Sequence, residues 1–379
     1  MPPVIVDVHR AEDVRDVVHQ AVQAVAEGKL VVFPTETVYG LAARALDWHA
    51  VQRLLQAKGR EEGHPLTLAI RSAEQARDYA PDMSPLAQRL ARRCWPGPVT
   101  LVVDDSHPGG LTRQLPPSVR RVVSPEGTVG LRVPGHQLIL EVLWMLSGPL
   151  ALTSANRTGE PPPRTAQEVV DSLGDRVELV LDDGPSRFGL PSSVVRVSGN
   201  EYEILRNGVV PEKTLVRLSS LMVLFVCTGN TCRSPMAEAV FRKMVAQRLG
   251  CSPEETEDGG VLVVSAGVAA MTGGRASEQA VQVMSDRGLD LRGHITQPLT
   301  ESLVRYADVI YTMTPSHRQA VVAQWPDAAE RTSVLRADGG DISDPIGGSV
   351  ERYQRCAAQI QSELGVRLDE LDLGADNQG

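Results

Sequence analysis

The sequence predicts an α/β protein in two domains: a mixed, twisted α/β sheet over residues 1–212 and a three-layer α/β/α parallel sheet over residues 222–370. Three observations carry this expectation. At 379 residues the chain is long enough for two separate cores. Strand-like apolar runs and helix-like amphipathic runs interleave along its whole length. And Val223-Leu-Phe-Val-Cys-Thr-Gly-Asn-Thr-Cys-Arg-Ser-Pro235 reads as an apolar strand entering a tight polar loop and then a helix.

In the first half, residues 11–27 have helical spacing, 29–34 form an apolar strand and 50–58 a short amphipathic helix. Strands are expected at 66–70, 99–103 and 130–133, with helices at 85–94 and 137–146. Trp95-Pro-Gly-Pro, His107-Pro-Gly-Gly and Gly159-Glu-Pro-Pro-Pro read as turns between them. Strands at 193–197 and 202–206 and an Asn207-Gly208 turn close this half, and residues 213–221 are the expected linker. The second half reads strand 222–226, helix 236–249, strand 262–265 and helices 277–287 and 301–306. It continues with strand 309–313 and helices 315–324 and 348–368, a parallel α/β rhythm. Residues 371–379 are expected to be a flexible acidic tail.

Composition excludes several classes. Hydrophobic residues at 42% and charged residues at 22% suit a globular chain rather than a disordered one. Residues 1–220 hold 24 basic and 26 acidic side chains, and residues 221–379 hold 14 and 21. Neither half has the basic excess of a dedicated nucleic-acid binder, so any cationic site must be local. No apolar run reaches the roughly 18 residues of a membrane span. Five cysteines suggest a reducing compartment. With an opening Met1-Pro-Pro-Val-Ile-Val-Asp that lacks a signal-peptide layout, a cytoplasmic location is expected.

The Cys227–Pro235 loop brings a nucleophile, a backbone cradle and a fixed cation within a few residues. A phosphate at a loop-to-helix junction meets several N–H groups and the positive end of the helix. Gly229 is expected to permit the tight turn, Arg233 to fork onto phosphoryl oxygens and Pro235 to sit in the first helical turn. The same field favours the thiolate of Cys227, to which Ser234 could donate. Metal chemistry through Cys227 and Cys232 is not expected, since no cluster completes four ligands.

This string resembles the low-molecular-weight protein tyrosine phosphatase family. Ser265-Ala-Gly, Gly288-Leu-Asp with His294, Val309-Ile-Tyr-Thr-Met313 and Ser343-Asp-Pro-Ile-Gly-Gly look like its landmarks in order. The resemblance implies that Cys227 forms a cysteinyl-phosphate, that Arg233 holds the phosphoryl oxygens and that Asp344 is the general acid, with no cofactor. It implies that Asn230 shapes a loop formed with Thr228, Gly229, Thr231, Cys232 and Ser234. Cys232 then either packs passively or traps oxidised Cys227 as a disulfide. Thr231 resembles the protein-arginine phosphatase branch, so phosphoarginine is expected over phosphotyrosine on a phosphoprotein substrate.

In the first half, cations near strand ends with Ser and Thr neighbours suit an anionic, phosphate-bearing ligand. Pro34-Thr-Glu-Thr-Val-Tyr-Gly-Leu, Lys58-Gly-Arg60, Trp95-Pro-Gly-Pro-Val-Thr, Gly130-Leu-Arg-Val-Pro134, Ser154-Ala-Asn and Leu205-Arg-Asn-Gly208 carry that pattern. Together they resemble the YrdC-type threonylcarbamoyl-AMP synthases. The resemblance implies condensation of L-threonine, bicarbonate and ATP, with Mg2+ accompanying ATP, for the threonylcarbamoyl modification of adenosine in tRNA. It implies ATP contacts from Lys58, Arg60, His64, Thr128, Ser154 and Arg206. Threonine contacts would come from Thr35, Arg132, Leu152 and Ser192, Arg132 pairing with the carboxylate. Three departures stand out: Ala69 where a threonine-contacting His is usual, His64 where Asn is usual, and Pro191-Ser-Ser-Val194 for Glu-Ser-Thr-Val. Two readings stay open for this half, a synthase and a relative that binds nucleotide or RNA without catalysis.

Overall fold

A computed structural model describes residues 2–59 and 64–373. Arg60 and the tail from residue 374 onward lie outside the described residues. The chain forms two compact units, Met1–Leu218 and Ser219–Gly379.

Among the described residues the first unit is built on ten strands: β1 (Val4–Asp7), β2 (Val31–Phe33), β3 (Gly40–Arg44), β4 (Thr67–Ala69), β5 (Val99–Asp104), β6 (Thr128–Arg132), β7 (Leu150–Ser154), β8 (Leu179–Asp182), β9 (Ser193–Ser198) and β10 (Glu201–Arg206). They pair in the order β1-β8-β2-β3-β7-β4-β6-β5-β9-β10. Parallel pairs (β4 with β6, β5 with β9) occur beside antiparallel ones (β3 with β7, β5 with β6), which makes the sheet mixed. Both faces are covered, because the period of two along a strand sends successive side chains to opposite sides. Val31 and Phe33 pack with the helices Val14–Ala26 and Gln137–Met145. Val32, Leu41 and Ala43 pack on the other face with Trp48–Lys58 and Pro85–Cys94.

Five strands exceed the sequence expectation: β1, β3, β7 and β8 here and a short strand, Thr332–Val334, in the second unit. Gly40-Leu-Ala-Ala-Arg and Leu150-Ala-Leu-Thr-Ser carry little β-branching, and pairing across β3 and β7 decides their state, not propensity. Residues 212–219, read from the sequence as part of a connector, form a helix, Glu212–Ser219. Its Leu215 is buried in the first unit's core, so a short amphipathic run gains by docking rather than by hanging free.

The second unit has four parallel strands, β11 (Leu221–Cys227), β12 (Val261–Gly267), β13 (Val309–Thr312) and β14 (Thr332–Val334), in the order β12-β11-β13-β14. Val223 and Phe225 pack with Arg233–Leu249 and Val350–Asp369 on one face. Leu224 and Val226 pack with Glu301–Tyr306 and Pro315–Gln324 on the other, completing three layers. The central strand β11 thus delivers Cys227 to the C-terminal edge of the sheet, where crevices of open α/β folds lie. The following helix starts three residues earlier than expected, at Arg233, with Cys232 as its N-cap residue. The loop therefore runs straight into helical backbone.

Candidate functional site

In the second unit the residues around Cys227 form one hydrogen-bonded loop. The Cys227 Sγ lies 3.0 Å from Ser234 Oγ and accepts from the Asn230 N–H at 3.3 Å. Asn230 is the hub. It is fully buried, and among the described residues it is the one non-glycine with a left-handed backbone, φ 56°. That corrects the expectation for Gly229, whose φ is not positive; Asn tolerates the left-handed region because its short amide bonds locally. Its Nδ2 donates to Ser234 Oγ at 3.0 Å and Ser265 Oγ at 2.9 Å, while its Oδ1 accepts from Gln297 N–H at 3.0 Å. His294 Nε2 lies 2.9 Å from its carbonyl. A Cβ on Gly267 would stand 2.5 Å from the Thr228 carbonyl, so glycine there lets the loop sit directly on β12.

Charge is arranged beside the sulfur. Arg233 is buried, donates to the Ile342 carbonyl at 3.3 Å, and pairs through Nη2 with Asp344 Oδ2 at 2.6 Å. Asp344 is partly exposed, and its Oδ1 accepts from Ile346 N–H at 3.1 Å. Cys232 Sγ is 3.2 Å from Tyr353 Oη and 3.4 Å from Ser277 Oγ. Burial, and then the Cys232 neighbour, push the Tyr353 hydroxyl up to about 12. Thr231 is half-buried with its Oγ1 3.5 Å from Cys232 Sγ. His317, Gln297 and Tyr353 escaped sequence reasoning, because each reaches the loop from a distant element and none sits in a motif.

The first unit holds a cavity of about 400 Å3 along β3, β5, β6, β7 and β9. Seven expected residues line it: Thr35, Thr128, Arg132, Leu152, Ser154, Ser192 and Arg206. His64 does not; its side chain is exposed. Lys58 is buried behind the wall, its Nζ donating to the Ser154 carbonyl at 2.8 Å, Ser154 Oγ at 2.9 Å and Asn156 Oδ1 at 2.7 Å.

Arg132 is held on three sides. Its Nη2 donates to Glu36 Oε1 at 2.7 Å and Thr37 Oγ1 at 2.9 Å, and its Nε donates to the Gly97 carbonyl at 3.2 Å. Those bonds leave Nη1. Glu36, quoted in a motif but missed as a site residue, is equally fixed, its Oε2 accepting from Gly135 N–H at 2.8 Å. Arg206 reaches back across the mouth to donate to the Ser192 carbonyl at 2.8 Å and Ser192 Oγ at 2.9 Å, both neutral acceptors. Partial desolvation beside the cavity, and then the charge of Arg132, hold its pKa below the usual guanidinium value. Two like charges drawn toward one cavity, one of them bonded to neutral oxygens, favour an anionic ligand.

A Sua5/YciO/YrdC family model, described as "Telomere recombination", matches residues 23–208. A low molecular weight phosphotyrosine protein phosphatase model matches residues 222–375. The chain belongs to both families, one in each half. Over 215 residues the first half is 39% identical to the threonylcarbamoyl-AMP synthase of Pyrococcus abyssi, covering 56% of this chain; the chain spans 61% of that relative's length. The second half is 38% identical over 146 residues to the protein-arginine-phosphatase of Bacillus subtilis, covering 38% of this chain and 91% of that protein. A crystal structure of Pyrococcus abyssi Sua5 complexed with L-threonine superposes with a TM-score of 0.51 at 26% identity, covering 69% of this chain and 92% of that one. Both are enzyme families. The Sua5/YrdC half contributes the mixed sheet with its cavity, and the phosphatase half the parallel sheet with the cysteine loop.

Proposed function

We propose that the protein is bifunctional: a threonylcarbamoyl-AMP synthase in its first half and a cysteine-dependent phosphoprotein phosphatase, preferring phosphoarginine, in its second. For the synthase the carrying observation is the convergence of Arg132 and Arg206 on one hydroxyl-lined cavity. Arg206, Ser154 and Thr128 would hold ATP, with Lys58 acting through the Ser154–Asn156 turn that it braces. Arg132 Nη1 would meet the threonine carboxylate, beside Thr35, Leu152 and Ser192. Glu126 carries the one carboxylate among the described lining residues, which suits a Mg2+ ion arriving on the nucleotide's own phosphates. Catalysis is then positioning and charge neutralisation between threonine, bicarbonate and ATP, without a dedicated base. The product would serve tRNA modification. Pyrophosphate release that needs ATP, bicarbonate and threonine together tests this; ATP binding without threonine-dependent release defeats it.

For the phosphatase the carrying observation is the Cys227 sulfur, backed by Ser234 and Asn230 and flanked by the Arg233–Asp344 pair. Cys227 attacks phosphorus, the sulfur–phosphorus bond forms as the bond to the leaving group breaks, and Asp344 supplies the leaving group's proton. Water activated by Asp344 then cleaves the cysteinyl-phosphate. Arg233 neutralises the oxygens in both steps. The preference for phosphoarginine is supported by Thr231 and by the similarity to the Bacillus subtilis protein. Turnover of phosphoarginine and phosphotyrosine by the full chain decides it; phosphotyrosine faster by about tenfold sinks the preference. Cys227→Ser should abolish both.

A further inference from the structure

We propose that Thr228 and His317 form a specificity-determining pair on the rim of the phosphate cradle, selecting a leaving group that carries N–H donors over one that presents an aromatic ring. The inference rests on the phosphatase reading of the second half and deepens it. Cys227, Asn230, Cys232, Arg233 and Ser234 are buried, whereas Thr228 is exposed. Thr228 is therefore open to contact with a leaving group that extends from a phosphoryl on Cys227 toward solvent.

The Thr228 hydroxyl is hydrogen-bonded to the helix that follows β13. Its Oγ1 lies 2.8 Å from Nε2 of His317, a buried ring. The other ring nitrogen, Nδ1, is 2.9 Å from Thr314 Oγ1, which lies 2.8 Å from Ser316 Oγ and caps the helix Pro315–Gln324. Either direction satisfies these contacts; in the one assigned to the pair, Thr314 donates to Ser316, His317 donates from Nδ1 to Thr314, and Thr228 donates to His317 Nε2. The lone pairs of Thr228 then face outward as acceptors. The charged groups acting on the ring are Arg233 from the helix after the loop and Asp344 and Asp341 from the loop before the last helix. Burial, and next the Arg233 charge, lower the His317 pKa, which keeps the rim uncharged at neutral pH.

A phosphoarginine side chain presents N–H groups beside its P–N bond and carries positive charge. A phosphotyrosine ring presents neither. An uncharged rim with an outward acceptor therefore favours the first and is indifferent to the second. His317 acts only through Thr228 and is a positioning residue.

The test measures kcat/KM of the full chain for phosphoarginine and phosphotyrosine in Thr228→Val, His317→Leu and His317→Gln. Losing the acceptor should cut the phosphoarginine-to-phosphotyrosine ratio about tenfold in the Val and Leu variants, the effect of one hydrogen bond to a charged group. Gln, whose Oε1 can replace Nε2 as acceptor, should return the ratio to within about threefold of the parent. An unchanged ratio, or parallel loss on both substrates, overturns the pair's role while leaving the phosphatase reading intact. A parent chain inert toward both substrates removes that reading, and the proposal with it. Should His317→Leu fail to fold, Thr228→Val, nearly isosteric and on the exposed rim, still decides.

Discussion

Replacing Asn230 by Ala should loosen the second unit by an amount that can be built up from its contacts. The substitution puts an ordinary L-residue at φ 56°, which costs about 1 kcal/mol. It leaves the Gln297 N–H without its acceptor, about 1–2 kcal/mol for a buried donor. It also removes the donors to Ser234 and Ser265, about 0.5–1 kcal/mol each. The expected loss is about 4 kcal/mol, or a nearly thousandfold rise in the open population. Asn230→Gly recovers only the backbone part, so it should lie about 1 kcal/mol above Ala. Hydrogen exchange of the full chain, read at the β11 amides, reports the second unit by itself. Exchange should accelerate by nearly three factors of ten in the Ala variant and about fivefold less in the Gly variant. Equal rates for Ala and Gly, or either within about threefold of the parent, would refute the account of Asn230 as a strained, bonded hub.

Arg206→Met should weaken ATP binding by at least about tenfold, measured by calorimetry, since a charge-assisted contact is lost. It should lower the stability of the unliganded first unit by only about 1 kcal/mol in urea, because the Ser192 carbonyl loses its Arg206 donors but no charge is stranded. Glu36→Gln should lower the stability of the first unit by about 3 kcal/mol by stranding the buried Arg132 charge. It should also raise KM for threonine more than it lowers kcat in pyrophosphate release. His317 titrates below its ordinary value because of burial and Arg233, opposed by Asp344 and Asp341. Its contribution to second-unit stability is therefore full above about pH 6.5 and is lost as pH falls through the depressed folded-state value. His317→Asn should flatten that part of the urea-midpoint profile, and an unchanged slope would show that another group supplies it.

How much of this was legible in the sequence differs between the halves for a physical reason. The phosphate loop is contiguous, so Cys227, Arg233 and Ser234 could be read from spacing, and the apolar run before them marked the strand. Glycine is the default left-handed residue, which points to Gly229 for the turn, but the buried amide of Asn230 supplies enough local bonding to take that conformation. His317, Gln297 and Tyr353 reach the loop from elements 67 to 121 residues away, a relation that no local pattern encodes. In the first half the cavity is assembled from strand ends scattered over most of the unit. Residue types there signalled an anionic ligand without giving the partners, and Glu36 went unread because a carboxylate in a cation-rich site looks like turn chemistry until Arg132 is seen on it. Strands β3 and β7 give little local signal because Gly40-Leu-Ala-Ala and Leu150-Ala-Leu are buried on both faces, without polar alternation and with little β-branching around them.

The helix Glu212–Ser219 bears on how the two halves can be taken apart. Only Ser220 separates its end from the start of β11. Leu215 is buried in the first core, and the Leu218 carbonyl accepts from Arg93 at 2.7 Å. Ending a stand-alone synthase half near residue 212, where family resemblance stops, would strip away about 2 kcal/mol of buried leucine and expose an apolar scar on the sheet's helical layer. A half that ends after Ser219 retains that plug, and the phosphatase half begins cleanly at β11. Dissection of the two activities therefore has a narrow seam, one or two residues wide, and fragments cut elsewhere would be judged inactive for the wrong reason.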